Sequence, residues 1–129
     1  VVLELKIEVY IDIAKYPHII LKRELALSFI ESIIRRHGAT KDLEEAKRVI
    51  SNFDEYYGIA HRKSGGYLII PKDSYDAVRG KVVVHKVKLS IENNEKIVEI
   101  ILDRRVSKDL IESSLREIGF SEVEYVQTN

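Results

Sequence analysis

The chain has no cysteine, so disulfides, thiolate metal ligands and a cysteine nucleophile are excluded together. It carries no formal net charge, with 21 basic and 21 acidic side chains, so no strong overall field draws it to nucleic acid or membrane. Long apolar runs are missing too. The longest uncharged apolar stretches, such as Tyr67 to Pro71, are strand-sized and far short of the roughly 20 residues that span a bilayer. With no basic-then-apolar leader at its start, the sequence reads as that of a soluble, cytoplasmic protein without a membrane partner. Thermolabile side chains are scarce, with one Gln and four Asn against eighteen Ile and 33% charged residues. That balance is a thermophile's pattern.

What is present fits one globular domain over residues 1–129. The length of 129 residues supports a proper core, and 45% hydrophobic content argues against disorder. Charge is uneven along the chain: residues 1–55 sum to −1, residues 56–90 to +5 and residues 91–129 to −4. The middle is the only distinctly basic stretch.

Periodicity gives the elements. Every odd residue from Leu3 to Ile13 is apolar, and the even positions hold Glu4, Lys6, Glu8, Tyr10 and Asp12. Such alternation predicts a half-buried strand. Tyr16-Pro17-His18 breaks it. Leu21, Leu25, Phe29 and Ile33 then fall at helical spacing, with Gly38 as the stop. Thr40 caps a second helix carried by Leu43, Ala46, Ile50, Phe53 and Tyr57. Around Lys63-Ser64-Gly65-Gly66, the runs Ile59–Arg62 and Tyr67–Ile70 predict a β-hairpin. Asp73 or Ser74 caps a short helical turn ending at Gly80. Lys81 to Ile91 reads as a strand, Glu92-Asn93-Asn94-Glu95 as a turn and Ile97 to Leu102 as its return. Ser107 caps a third helix ending at Gly119, and Glu122 to Val126 is the last strand. The expected fold class is α+β: an antiparallel or mixed sheet packed on one face by about three helices, in the order β-α-α-β-β-β-β-α-β. Ile97 to Val126 reads as a strand–helix–strand crossover.

No motif carries chemistry. His18, His37, His61 and His85 lack metal-site spacing, so neither metal nor cofactor is expected. His37 is expected to meet the carbonyl end of its own helix, and His85 to share a strand face with Val83, Val87 and Leu89. Ser64 has neither a nucleophile elbow nor a phosphate-binding loop around it. The pairs Glu44/Glu45 and Asp54/Glu55 read as solvated surface, and Asp103-Arg104-Arg105 as a loop ion pair. No catalytic residue is assigned, and the expectation leans away from an enzyme. The leading expectation is a non-enzymatic interaction protein, a homo-oligomer (a homodimer by base rate) or a subunit of a complex. Its basic middle would meet an acidic C-terminal third that includes Glu112, Glu117, Glu122 and Glu124. The alternative is a nucleic-acid-binding module in residues 56–88, built on Arg62, Lys63, Arg79, Lys81, Lys86, Lys88 and Tyr67. A small enzyme with a site assembled from distant residues is the third class.

Overall fold

The computed structural model describes residues 5–128. The described residues form an α+β fold, with six strands in one mixed sheet and five helices among them. β1 (Lys6–Ile11) turns back through Asp12–Tyr16 into β2 (Pro17–Lys22), which runs directly into α1 (Arg23–His37). α2 (Lys41–Ser51) and α3 (Phe53–Lys63) follow, then β3 (Tyr67–Ile69) and the short α4 (Ser74–Val78). The chain ends with β4 (Val84–Glu92), β5 (Glu95–Leu102), α5 (Lys108–Glu117) and β6 (Glu122–Gln127). Across the sheet the order is β3-β4-β5-β2-β1-β6. All neighbours are antiparallel except β1 and β6, which run parallel. It follows that β5 and β6 are parallel, with β2 and β1 between them, and that α5 makes the crossover.

Alternation decides what lies inside. Ile7 and Val9 on β1, Ile19 and Leu21 on β2, Val87 and Leu89 on β4, and Val98, Ile100 and Leu102 on β5 are buried in one core. Phe29, Ile30 and Ile33 of α1, Leu43 and Ile50 of α2, Phe53 of α3, and Ile111 and Leu115 of α5 roof it. The side chains in between point to the opposite face of the sheet. None of Ile20, Ile69, Ile97 and Ile101, which point that way, belongs to the core cluster.

Local chemistry fixes the ends. Thr40 and Ser107 accept from the amides of Leu43 and Leu110, each capping its helix as the sequence indicates. Asp73 caps α4 by accepting from Tyr75 N–H at 2.8 Å. Asn93 and Asn94 both take positive φ in the β4–β5 turn, the pairing a two-residue hairpin requires. Asp42, in the first turn of α2, is fully buried, and one carboxylate oxygen accepts from Val83 N–H and Val84 N–H, each at 2.8 Å. This ties α2 to the start of β4.

Several expectations are corrected. Residues 17–22 form a strand, so Leu21 reaches the core from β2 rather than from a helix. Its place in the helical stripe is a coincidence of spacing in an apolar run. The second helix breaks at Asn52, whose side-chain amide donates to Arg48 carbonyl at 2.8 Å, and a separate helix begins at Phe53. That helix contains Ile59–Arg62, so there is no hairpin around Ser64: Gly65 and Gly66 join a helix to a strand. Gly66 has φ +100°, and a Cβ there would sit 2.9 Å from both His61 Nε2 and Leu89 carbonyl oxygen. Only glycine fits that crossing. Leu5 and Ile13 are exposed, so β1 is shorter than its alternation; Leu3 lies outside the described residues.

Candidate interaction surface

The bare face of the sheet gathers the residues with unexplained chemistry. One row is paired across all the strands: Ile69, Lys86, Ile101, His18, Tyr10 and Val126. A second row runs Tyr67, Lys88, Glu99 and Ile20, and on the far side Glu8 pairs with Glu124. Two of these apolar side chains are wide open, Ile20 at 48% exposure and Ile69 at 76%. Ile101 is covered, at 1%.

The corner at β3 and β4 is basic and aromatic. The Lys86 and Lys88 ammonium groups lie 5.0 and 5.2 Å from the centre of the Tyr67 ring. Both are within cation–π range: Lys88 is the direct cross-strand partner of Tyr67, and Lys86 lies in the neighbouring row, opposite Ile69. Lys63, at the end of α3, joins Tyr67, Ile69 and Lys86 around a groove of about 470 Å³ at the β3 edge. Of the residues expected to bind nucleic acid, the structure therefore brings together Lys63, Tyr67, Lys86 and Lys88. Arg62 sits beside Lys63 in the last turn of α3, not at a hairpin tip. Arg79 and Lys81 belong elsewhere. Arg79 lies over the Tyr75 ring at 5.1 Å, and Lys81 carbonyl accepts from His37 Nε2 at 2.9 Å. The stretch 56–88 is thus not one surface, because α4 carries part of it away. His37 reaches this separate segment instead of its own helix end.

The opposite edge is acidic. Glu122 and Glu124 on β6 and Glu8 on β1 line it, with Lys6 bridged to Glu124 and Tyr10 donating to Glu8 at 2.7 Å. The acidic C-terminal third is split as well. Glu117 binds Ser32, Arg35 and Arg36 of α1, and Glu112 pairs with Arg116. Those hydrogen bonds from Ser32 and Arg35 hold the Glu117 carboxyl down at about 2.

At the middle of the face His18 lies between two carboxylates, Nδ1 at 2.8 Å from Glu99 and Nε2 at 2.8 Å from Asp12. Burial pushes the Asp12 carboxyl up, but the bonds from His18 and the Tyr16 amide more than reverse it. A general-base imidazole needs one nitrogen free for substrate. Here both are taken, so the triad anchors the β1–β2 turn to β5. Next to it, His85 sits at a β-bulge between Val84 and Lys86. The bulge takes it off the core face expected for it and stacks it on Tyr16, ring centres 4.9 Å apart. Burial, then Lys72 and Lys86, lower its pKa below the ordinary histidine value. Lys72 lies 3.3 Å from Nδ1, which must accept, leaving the proton on Nε2. His61 is also structural: its ring lies tilted against Tyr57, centres 4.3 Å apart, and it donates through Nε2 to Leu89 carbonyl at 2.8 Å. Asp103 and Arg105 form the expected loop pair at 3.0 Å. Burial raises the Asp103 carboxyl, and the Arg105 side-chain and backbone N–H groups bring it below the usual carboxylate value.

Sequence reasoning missed the His18 triad and Tyr16–His85 because His18 and Glu99 are 81 residues apart, Tyr16 and His85 are also far apart along the chain, and only the fold of the sheet joins them. Among the described residues, no group of three or more His, Asp or Glu is placed to hold a metal ion, and no helix is long and apolar enough to cross a membrane. The chain matches no protein-family model, no curated protein and no solved structure.

Proposed function

We propose that the protein is a non-enzymatic interaction module that works through the bare face of its sheet as a subunit of a protein assembly. The observation that supports this reading is the one-sided roof: four helices cover one face, while Ile20 and Ile69 stand open on the other. Open isoleucines in rows that also hold tyrosines, with charges around them, are the composition of an interface. The saturated hydrogen bonding of His18 and the structural role of His61 take away two of the candidate acid–base groups an enzyme would use.

The test is sedimentation equilibrium of the chain beside Ile20→Lys. Association that the substitution abolishes supports the reading; association of unchanged strength in Ile20→Lys contradicts it.

A second reading rests on the Tyr67 ring with the Lys86 and Lys88 ammonium groups beside it, an aromatic platform next to phosphate-binding charges. It predicts oligonucleotide binding that falls steeply with salt and is lost in Tyr67→Ala. Absence of binding at low salt removes it.

A further inference from the structure

We infer that the occupant of the bare face is a second copy of this chain, stacked sheet on sheet about a two-fold axis that runs along the strands. The inference rests on the interaction reading above and adds the partner and the geometry. Charge across the face is its basis. One lateral edge, β3 and β4, presents Lys86 and Lys88, with Lys63 at the rim. The other edge, β1 and β6, presents Glu8, Glu122 and Glu124 against a single Lys6.

Two copies of one face are related by a two-fold axis lying between the sheets. If that axis crosses the strands, lateral order is kept and lysines stack on lysines. If it runs along them, lateral order is reversed. β3 then lies over the partner's β6, β4 over its β1, and β5 over its β2. Only the second arrangement lays opposite charges together, and it keeps the strands of the two sheets close to aligned, the commonest way in which sheets pack.

The rows make the pairing specific. With the axis midway between β5 and β2, Ile69 faces Val126 of the partner subunit, apolar on apolar. Lys86 faces the partner's Tyr10, and Lys88 faces the partner's Glu8. Tyr67 meets the partner's Glu124. The centre is formed by Ile20 against the opposing β5, whose Glu99 carboxylate is already held by His18 at 2.8 Å. Under that docking Glu99 keeps His18, Glu124 keeps Lys6 and Lys88 gains the partner's Glu8, while the Lys86 ammonium lies between the Tyr67 ring and the partner's Tyr10.

Reversing charge on one edge at a time tests the axis. The variants are K86E/K88E, E8K/E124K and the combination of all four, with Ile20→Lys as a control on the face itself. Sedimentation equilibrium at low ionic strength is expected to show each two-site variant associating about tenfold or more weakly, and the four-site variant recovering most of that loss. Lys88 and Glu8 sit on different strands with β5 and β2 between them, so contact within one chain cannot produce the recovery. Thermal melts of each variant separate lost association from lost folding.

A chain that stays monomeric at millimolar concentration overturns the second copy. A four-site variant no better than its parents overturns the axis, leaving the face as the working surface if Ile20→Lys still dissociates the assembly. Full association in Ile20→Lys overturns the face reading itself. Salt-steep oligonucleotide binding that K86E/K88E loses, in a chain that does not self-associate, assigns the corner to nucleic acid instead.

Discussion

The two faces of this sheet carry the same kind of residue to opposite ends. On the roofed face Val9, Ile19, Val87, Val98 and Ile100 are sealed under four helices in one core. On the other, Ile20 and Ile69 belong to no core, and charges from lysine to glutamate fill the space between. The roofed residues are held in place by neighbours from every helix that crosses them, so their cost is in folding. Of the apolar residues on the other face, Ile69 and Ile20 are left open while Ile101, in mid-sheet, is covered. The difference teaches that apolarity alone does not mark a core position; the side of the pleat it occupies does.

The largest effect expected from breaking this contrast is on the roofed side. Phe29→Ala removes a fully buried ring from the middle of α1 and should lower stability by about 3–5 kcal/mol in denaturant titration. A shift of less than about 1 kcal/mol would mean that the site collapses around the gap or is not core.

Next comes Asp42→Ala, which leaves Val83 and Val84 amides buried without an acceptor. It should cost roughly 2–4 kcal/mol, read from the same titration. A neutral result would place those amides in contact with water.

Acid separates a rim contact from the core. The Glu117 carboxyl is held at about 2 in the fold against an ordinary 4.5, so its contribution is complete above pH 4.5 and is lost as pH falls towards 2. The melting temperature should therefore drop more between pH 5 and pH 3 for the unmodified chain than for Glu117→Gln. Equal drops would mean that the Arg35 and Ser32 contacts do not persist in solution.

The smallest effect on stability belongs to the bare face. Ile20→Lys should leave unfolding within about 0.5 kcal/mol while it disrupts association, because Ile20 is about half exposed in the monomer and a lysine stem covers similar neighbours.

How much of this was legible in the sequence differs between the two faces as well. The roofed side declares itself: the alternation of Ile7 and Val9, the stripe of Phe29 and Ile33, and the caps at Thr40, Asp73 and Ser107 need only local rules. Where local rules conflict, they mislead. Leu21 satisfies helical spacing to Leu25 and also the alternation of β2, and pairing with Val98 decides for the strand. Ile59 to Arg62 resembles an extended run, yet the contacts of Phe53, Tyr57 and His61 at four-residue steps favour the helix. The bare face is only half legible. Tyr67, Lys86 and Lys88 are close in sequence and emerge as one cluster, but Arg79 and Lys81, equally basic, are carried off by α4. His18, Asp12 and Glu99 carry no shared local signal, because sheet order brings them together.

Hydroxyl-radical footprinting of side chains across a concentration series asks most directly which surface is covered when the chains meet. Ile20, Ile69 and Tyr67 should lose reactivity as concentration rises, while Tyr75 and Val78 on α4 keep theirs. Constant reactivity at Ile20 and Ile69, with protection elsewhere, would contradict a working role for the bare face.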